Sequence, residues 1–174
     1  MSCLIEEKDG KVTVTLAFKR QELLYEIENI AHVEGDVMEP GHDHGRHQLQ
    51  DVGQEGNVDR VTSVLNLEVA RCREMLRPYT DSEIVRTELD DELKAPPVYG
   101  IVMSVERSFS QTTLYLLERL IHEYLVCKGL AEWMGITYPQ KAQMWALKAE
   151  ATMAEINAAK HIRRGAFVRK SSPF

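Results

Sequence analysis

The chain has 174 residues, 44% of them hydrophobic and 28% charged, which suits a single cored domain with at most a small appendage. A net charge of −6 argues against a dedicated nucleic-acid binder, and no segment approaches the roughly 18 apolar residues of a membrane span. In MSCLIEEKDGK, acids stand where a secretory signal needs a basic region, and Cys3, Cys72 and Cys127 are widely spaced with no CxxC pair. A soluble cytoplasmic protein with reduced thiols is therefore expected.

Asp9-Gly10 signals a turn, and residues 11–18 then alternate, with Val12, Val14 and Leu16 on one side and Thr13, Thr15 and Ala17 on the other. That period predicts a short strand. From Arg20 the spacing becomes helical: Leu23, Leu24, Ile27, Ile30 and Ala31 share a face, predicting a helix over 20–32 that ends near Glu34-Gly35. Residues 35–56 are polar and rich in turn formers, with several glycines and Pro40, and read as a loop. A helix over 57–77 follows, with Asn57 as its N-cap and Val58, Val61, Leu65, Val69, Cys72 and Leu76 at helical spacing. Residues 83–94 and 98–106 read as two further strands of a small antiparallel sheet.

Ser108-Phe109-Ser110-Gln111 matches a capping box that opens a helix over 109–134. Its apolar residues cover much of the girth, with Leu114, Leu117, Ile121 and Tyr124 in one stripe and Leu116, Leu120, Cys127 and Leu130 in another. Such a helix belongs at the centre of a fold. Gly135 suits the C′ position, and Thr137-Tyr138-Pro139-Gln140 reads as a second capping box with proline in the first turn. In the last helix, 138–163, Ala142, Trp145, Ala149, Thr152, Ile156 and Ala159 make a clean 3-4 stripe. Alanines let two helices approach closely but bury little area, so Trp145 and Ile156 must anchor the contact.

The expected fold is α+β, mainly α: about four helices, a C-terminal antiparallel helical hairpin and a small antiparallel sheet. Residues 1–163 form one α-rich domain, and 164–174 a basic flexible tail. Residues 160–174 hold Lys160, Arg163, Arg164, Arg169 and Lys170 and no acid. Removing these five positives from the net −6 leaves −11 on residues 1–159. An acidic body with a basic tail suits head-to-tail self-association, docking on an acidic neighbour, or weak contact with nucleic acid. Phe174, the last residue, could act as an aromatic plug.

Chemical motifs are sparse. His42, His44 and His47 have the HxH and HxxH spacing that lets imidazoles converge on a transition metal, but no distant further ligand is evident, and a solvated loop is the favoured reading. His122-Glu123 begins like the zinc-protease helix HExxH, but Val126 occupies the second ligand position. His122 is instead expected to pair with Glu118 one turn earlier. No phosphate-binding loop, dinucleotide fingerprint or nucleophile elbow occurs. No catalytic residue and no cofactor are assigned.

IENIAHVEGDVM, GRHQLQDVG and GNVDRVTSVLNLEVARCREML, together with FSQTT and LLERLIHEYLVCKGLAEWMGITYP, resemble a group of small proteins encoded in Bacteroidetes prophage-like elements. The resemblance covers nearly the whole chain, and its motifs are packing and capping motifs without known chemistry. It implies a mainly helical phage structural protein of the head–tail connector or tail-completion kind. Such a protein acts through oligomerisation, has other phage-like structural proteins as partners, and is found in the virion where the element is functional. The interaction residues expected on this reading are Trp145, Lys160, Arg163, Arg164, Arg169, Lys170 and Phe174. The alternatives are a metal-binding protein or enzyme using the histidine loop, and a nucleic-acid-binding accessory factor using the tail.

Overall fold

A computed structural model describes residues 2–8, 11–38, 43–79, 95–106 and 109–162. Strand β1 (Ser2–Lys8) turns back as β2 (Lys11–Lys19), which runs without a break into helix α1 (Arg20–Asp36). Helices α2 (Asp43–Gln50) and α3 (Glu55–Met75) follow, then β3 (Val98–Glu106), α4 (Gln111–Thr137) and α5 (Pro139–Ala159). The protein is α+β and mainly α.

The sheet is antiparallel in the order β1-β2-β3, with β2 in the middle. Ser2 pairs with Ala17 on one side of β2, and Lys19 with Val98 on the other. Alternation sets which face is buried. Val14, Leu16 and Phe18 of β2 and Tyr99, Ile101, Met103 and Val105 of β3 are all buried, while their neighbours in sequence are half-buried or exposed. A sheet with one apolar face must be covered by helices on that face. Helix α3 lies against β3: Tyr99 donates to Asn66 Oδ1 at 3.0 Å, and Arg73 donates to the Gly100 carbonyl at 3.1 and 2.7 Å.

Helix α4 is central, as its apolar girth predicts, and packs on α1, α2, α3 and α5. Fourteen of its 27 residues are buried, from every side of the helix. Its crossing with α1 is close: a Cβ built on Gly129 would lie 2.5 Å from Ile27 Cδ1. The α4–α5 hairpin turns on a single residue, Tyr138, with Pro139 in the first turn of α5, where no N–H is needed. The expected stripe of α5 is confirmed, with Trp145, Ala149, Thr152, Ile156 and Ala159 buried and Ala142 packed against the core.

Several expectations are corrected. The stretch 35–56 is not simply a loop: α1 runs through Gly35 to Asp36, and Asp43–Gln50 forms α2. Leu49 and Val52 are buried, and Trp133 Nε1 donates to the Leu49 carbonyl at 2.8 Å, so long-range contacts override a weak local pattern. The N-cap of α3 is Gln54; Asn57 sits inside the helix and donates to the Asp51 carbonyl. Helix α4 begins at Gln111 with Ser110 as N-cap and continues through Gly135, and neither its N-cap nor that of α5 makes a side-chain cap bond. The Thr137 hydroxyl donates back to the Trp133 carbonyl instead. Strand β1 was not expected. The strand expected at 83–94 lies outside the described residues, as does Ser108.

Candidate functional site

The polar side chains of the interior act mainly as ties between helices. His122 on α4 is buried, and its Nε2 lies 2.7 Å from Glu26 Oε2 on α1. A carboxylate only accepts, so Nε2 carries the proton. The expected Glu118 partner is corrected: Glu118 Oε1 and His122 Nδ1 are both buried with no hydrogen-bond partner among the described residues. Spacing along one helix favoured Glu118, but the crossing of α1 supplies Glu26, 96 residues away in sequence.

A second tie joins α4 to α5. Glu123 binds Lys148, whose ammonium also stands 5.1 Å from the centre of the Trp145 ring. The bond to Glu123 pushes the Lys148 pKa up. Cys127 lies one turn beyond Glu123, and burial pushes its thiol to about 11. A third tie joins α3 to α4: Tyr124 donates to Glu68 Oε2 at 2.5 Å, while Arg71 holds Glu68 Oε1 at 2.7 Å. Burial, then Glu68, raises the Tyr124 phenol. Burial likewise raises the Cys72 thiol to about 12. At neutral pH both thiols are protonated, whereas the thiolate is the nucleophilic form. Glu26, Lys148 and Glu68 thus bond α4 to α1, α5 and α3.

A cavity of about 800 Å³ opens at the α4–α5 joint, with Val37, Met38 and Gly45 on one wall and Thr137, Tyr138, Pro139 and Gln140 on the other. Among the described residues, no carboxylate, imidazole or thiol lines it.

The residues singled out by the sequence are scattered. His44 and His47 lie one turn apart on α2, both exposed, with His44 Nε2 3.2 Å from Gln48 Nε2. His42 lies outside the described residues, and no three His, Cys, Asp or Glu among the described residues gather as a metal site. Trp145 is 8% exposed and serves the hairpin interior. Lys160 donates to the Met75 carbonyl at 3.1 Å, so it caps the C-terminal end of α3. Arg163, Arg164, Arg169, Lys170 and Phe174 lie outside the described residues. No helix of the described residues is long and apolar enough to cross a membrane.

One surface feature escaped the sequence reading. On α5, Met144 and Leu147 are 46% and 58% exposed, and Ala151, Ala154 and Ala158 are exposed in line with them. Their 3-4-3-4 spacing forms a second apolar stripe, roughly 140° around the helix from the buried one at 100° per residue. The spacing itself was the available signal, but the stripe carrying Trp145 drew the assignment.

No family model, curated protein or solved structure matches the chain.

Proposed function

We propose that the protein is a non-enzymatic assembly component of a phage-like element, of the head–tail connector or tail-completion kind, that works by associating with copies of itself and with neighbouring structural proteins. The observation that carries this reading is the second apolar stripe of α5. A helix of a stand-alone hairpin needs one apolar face, and α5 has two, the outer one offering Met144 and Leu147 to solvent. Two further features support it. The described ionisable groups of the interior tie helices together, and the stretches that resemble the prophage-encoded group are packing and capping motifs.

The test is molar mass by light scattering behind gel filtration, over a concentration series and again with the other proteins of the element. The full chain and a chain ending at residue 162 are compared. Ending there keeps Lys160 and its bond to the Met75 carbonyl. A mass that rises to a defined oligomer, or a stable complex with a neighbour, is the expected result. A monomer in every mixture refutes the proposal.

A further inference from the structure

We infer that the outer stripe of α5 pairs with the same stripe on a second copy of this chain, antiparallel, about a two-fold axis near Ala151. The inference rests on the assembly reading above and names its contact. The stripe is tapered. Met144 and Leu147 are bulky and stand near the N-terminal end, while Ala151, Ala154 and Ala158 run toward the C-terminal end. Antiparallel pairing lays Met144 over Ala158 of the second copy and Leu147 over Ala154 of the second copy, with Ala151 meeting its own copy at the axis. Large then faces small at each level, and the two helix axes stay evenly spaced. Parallel pairing would set Met144 on Met144 and Leu147 on Leu147, and would leave a gap at the alanines.

Charge is compatible with this arrangement. Lys148 and Glu155 flank the stripe on one edge, and antiparallel pairing brings Lys148 of each copy beside Glu155 of the other. Lys148 holds Glu123 within its own chain, yet its side chain remains 50% exposed, and an ammonium has three donors, so one group can serve both carboxylates. Parallel pairing would face each edge with the opposite one and set Lys148 beside Glu150, so it is the size taper that separates the two arrangements. On the opposite edge the axis brings Glu150 near its own copy, a repulsion that tempers the contact. From residue 144 to 158 the seam is only about 21 Å long, at 1.5 Å per residue. At a helix diameter of about 10 Å the footprint is about 200 Å², well short of the roughly 800 Å² per partner of a standard stable interface. The pair is thus weak alone, and suits a contact repeated within a larger assembly.

Engineered cysteines read the geometry directly, because a disulfide needs Cβ atoms about 3.5–4.5 Å apart. In a full-length chain carrying Cys3→Ser, with Cys72 and Cys127 buried, three variants are oxidised at high concentration: Met144→Cys, Ala151→Cys, and Met144→Cys with Ala158→Cys. The expected result is covalent dimer from Ala151→Cys and from the double variant, at least about tenfold faster than from Met144→Cys alone. In the unmodified chain, Glu150→Gln tightens association and Ala151→Glu abolishes it, each with an unchanged far-ultraviolet spectrum. Rapid cross-linking of Met144→Cys alone, or a chain that oligomerises while none of the variants cross-links, overturns the pairing and leaves the assembly reading intact. A chain that stays monomeric in every mixture removes both.

Discussion

Gly129 lets Ile27 of α1 pack against the backbone of α4, and the structure gives its replacement a definite cost and a definite cure. In a helix interior, Gly→Ala gains about 1 kcal/mol from backbone propensity. Here the new methyl would meet Ile27 Cδ1 at 2.5 Å, with Ile27 Cγ1 at 3.4 Å and Val61 Cγ1 at 3.7 Å. Ile27 is fully buried, so it can move only by pushing the core, and overpacking of this kind costs about 1–3 kcal/mol. The net for Gly129→Ala is a loss of about 0–2 kcal/mol. Ile27→Val deletes the offending Cδ1 and alone costs about 0.5–1.5 kcal/mol. The double variant places the new methyl where Cδ1 was, so it should be at least as stable as the parent, with a coupling of about 2 kcal/mol between the sites. Urea unfolding followed by circular dichroism gives all four corners of the cycle. A Gly129→Ala protein that is itself about 1 kcal/mol more stable, or effects that add within about 0.5 kcal/mol, would refute the close crossing.

Trp145→Ala should cost about 3–5 kcal/mol, because the ring is 8% exposed and the alanines beside it fill little of the hairpin; the same urea titration measures it, and a loss below about 1 kcal/mol would place the anchor elsewhere. Tyr124→Phe should cost about 1–3 kcal/mol, since Glu68 Oε2 loses its 2.5 Å donor within the interior, and an unchanged midpoint would mean that Arg71 alone satisfies the carboxylate. Alkaline pH should unfold the protein. The Cys72, Cys127 and Tyr99 acids are raised by burial to about 12, 11 and 12, so the unfolded chain releases their protons first, from about pH 9 upward, and Lys148, also raised, is lost at still higher pH. All four act in one direction, and each group that ionises only when unfolded removes about 1.4 kcal/mol per pH unit. A flat melting temperature from pH 8 to 11 would contradict this. In the folded protein Cys72 and Cys127 should resist alkylation at pH 8 and react once urea is added, as read by intact mass; labelling at the native rate of an exposed thiol would show the burial to be wrong.

The long elements were legible because a helix of 21 or 27 residues repeats its pattern several times over. Leu114, Leu117, Ile121 and Tyr124 announced a central helix, and Trp145, Ala149, Thr152 and Ile156 announced the hairpin seam. Short elements gave no such repetition. Strand β1 reads Ser-Cys-Leu-Ile-Glu-Glu-Lys, which groups its apolar residues instead of alternating them, and it is defined by its pairing with β2. Helix α2 has one buried apolar residue, Leu49, and a glycine in its middle, and a tryptophan 84 residues away fixes its end. The same limit applies to the interior pairs. Local spacing offered Glu118 to His122, but Glu26 arrives through the packing of α1 on α4, which no local period encodes. The exposed stripe of α5 is a different case, because its 3-4 spacing is as regular as that of the Trp145 stripe, and only burial tells the two apart.

That second stripe has a simpler rival explanation, which its composition decides against. Alanine is the best helix former, so Ala151, Ala154 and Ala158 could be there only to stiffen α5. The same account does not reach Met144 and Leu147. Lys, Glu and Gln have nearly the propensity of Leu and Met, and on a solvent face they would keep the helix equally stable without exposing apolar area. Scattered single apolar residues on a surface need no explanation, but these two stand at the 3-4 spacing that continues through the alanines. They are also the bulky members of the stripe, and they sit at one end of it. A helix stiffener has no reason to taper, whereas a surface that meets its own copy antiparallel about a two-fold axis does.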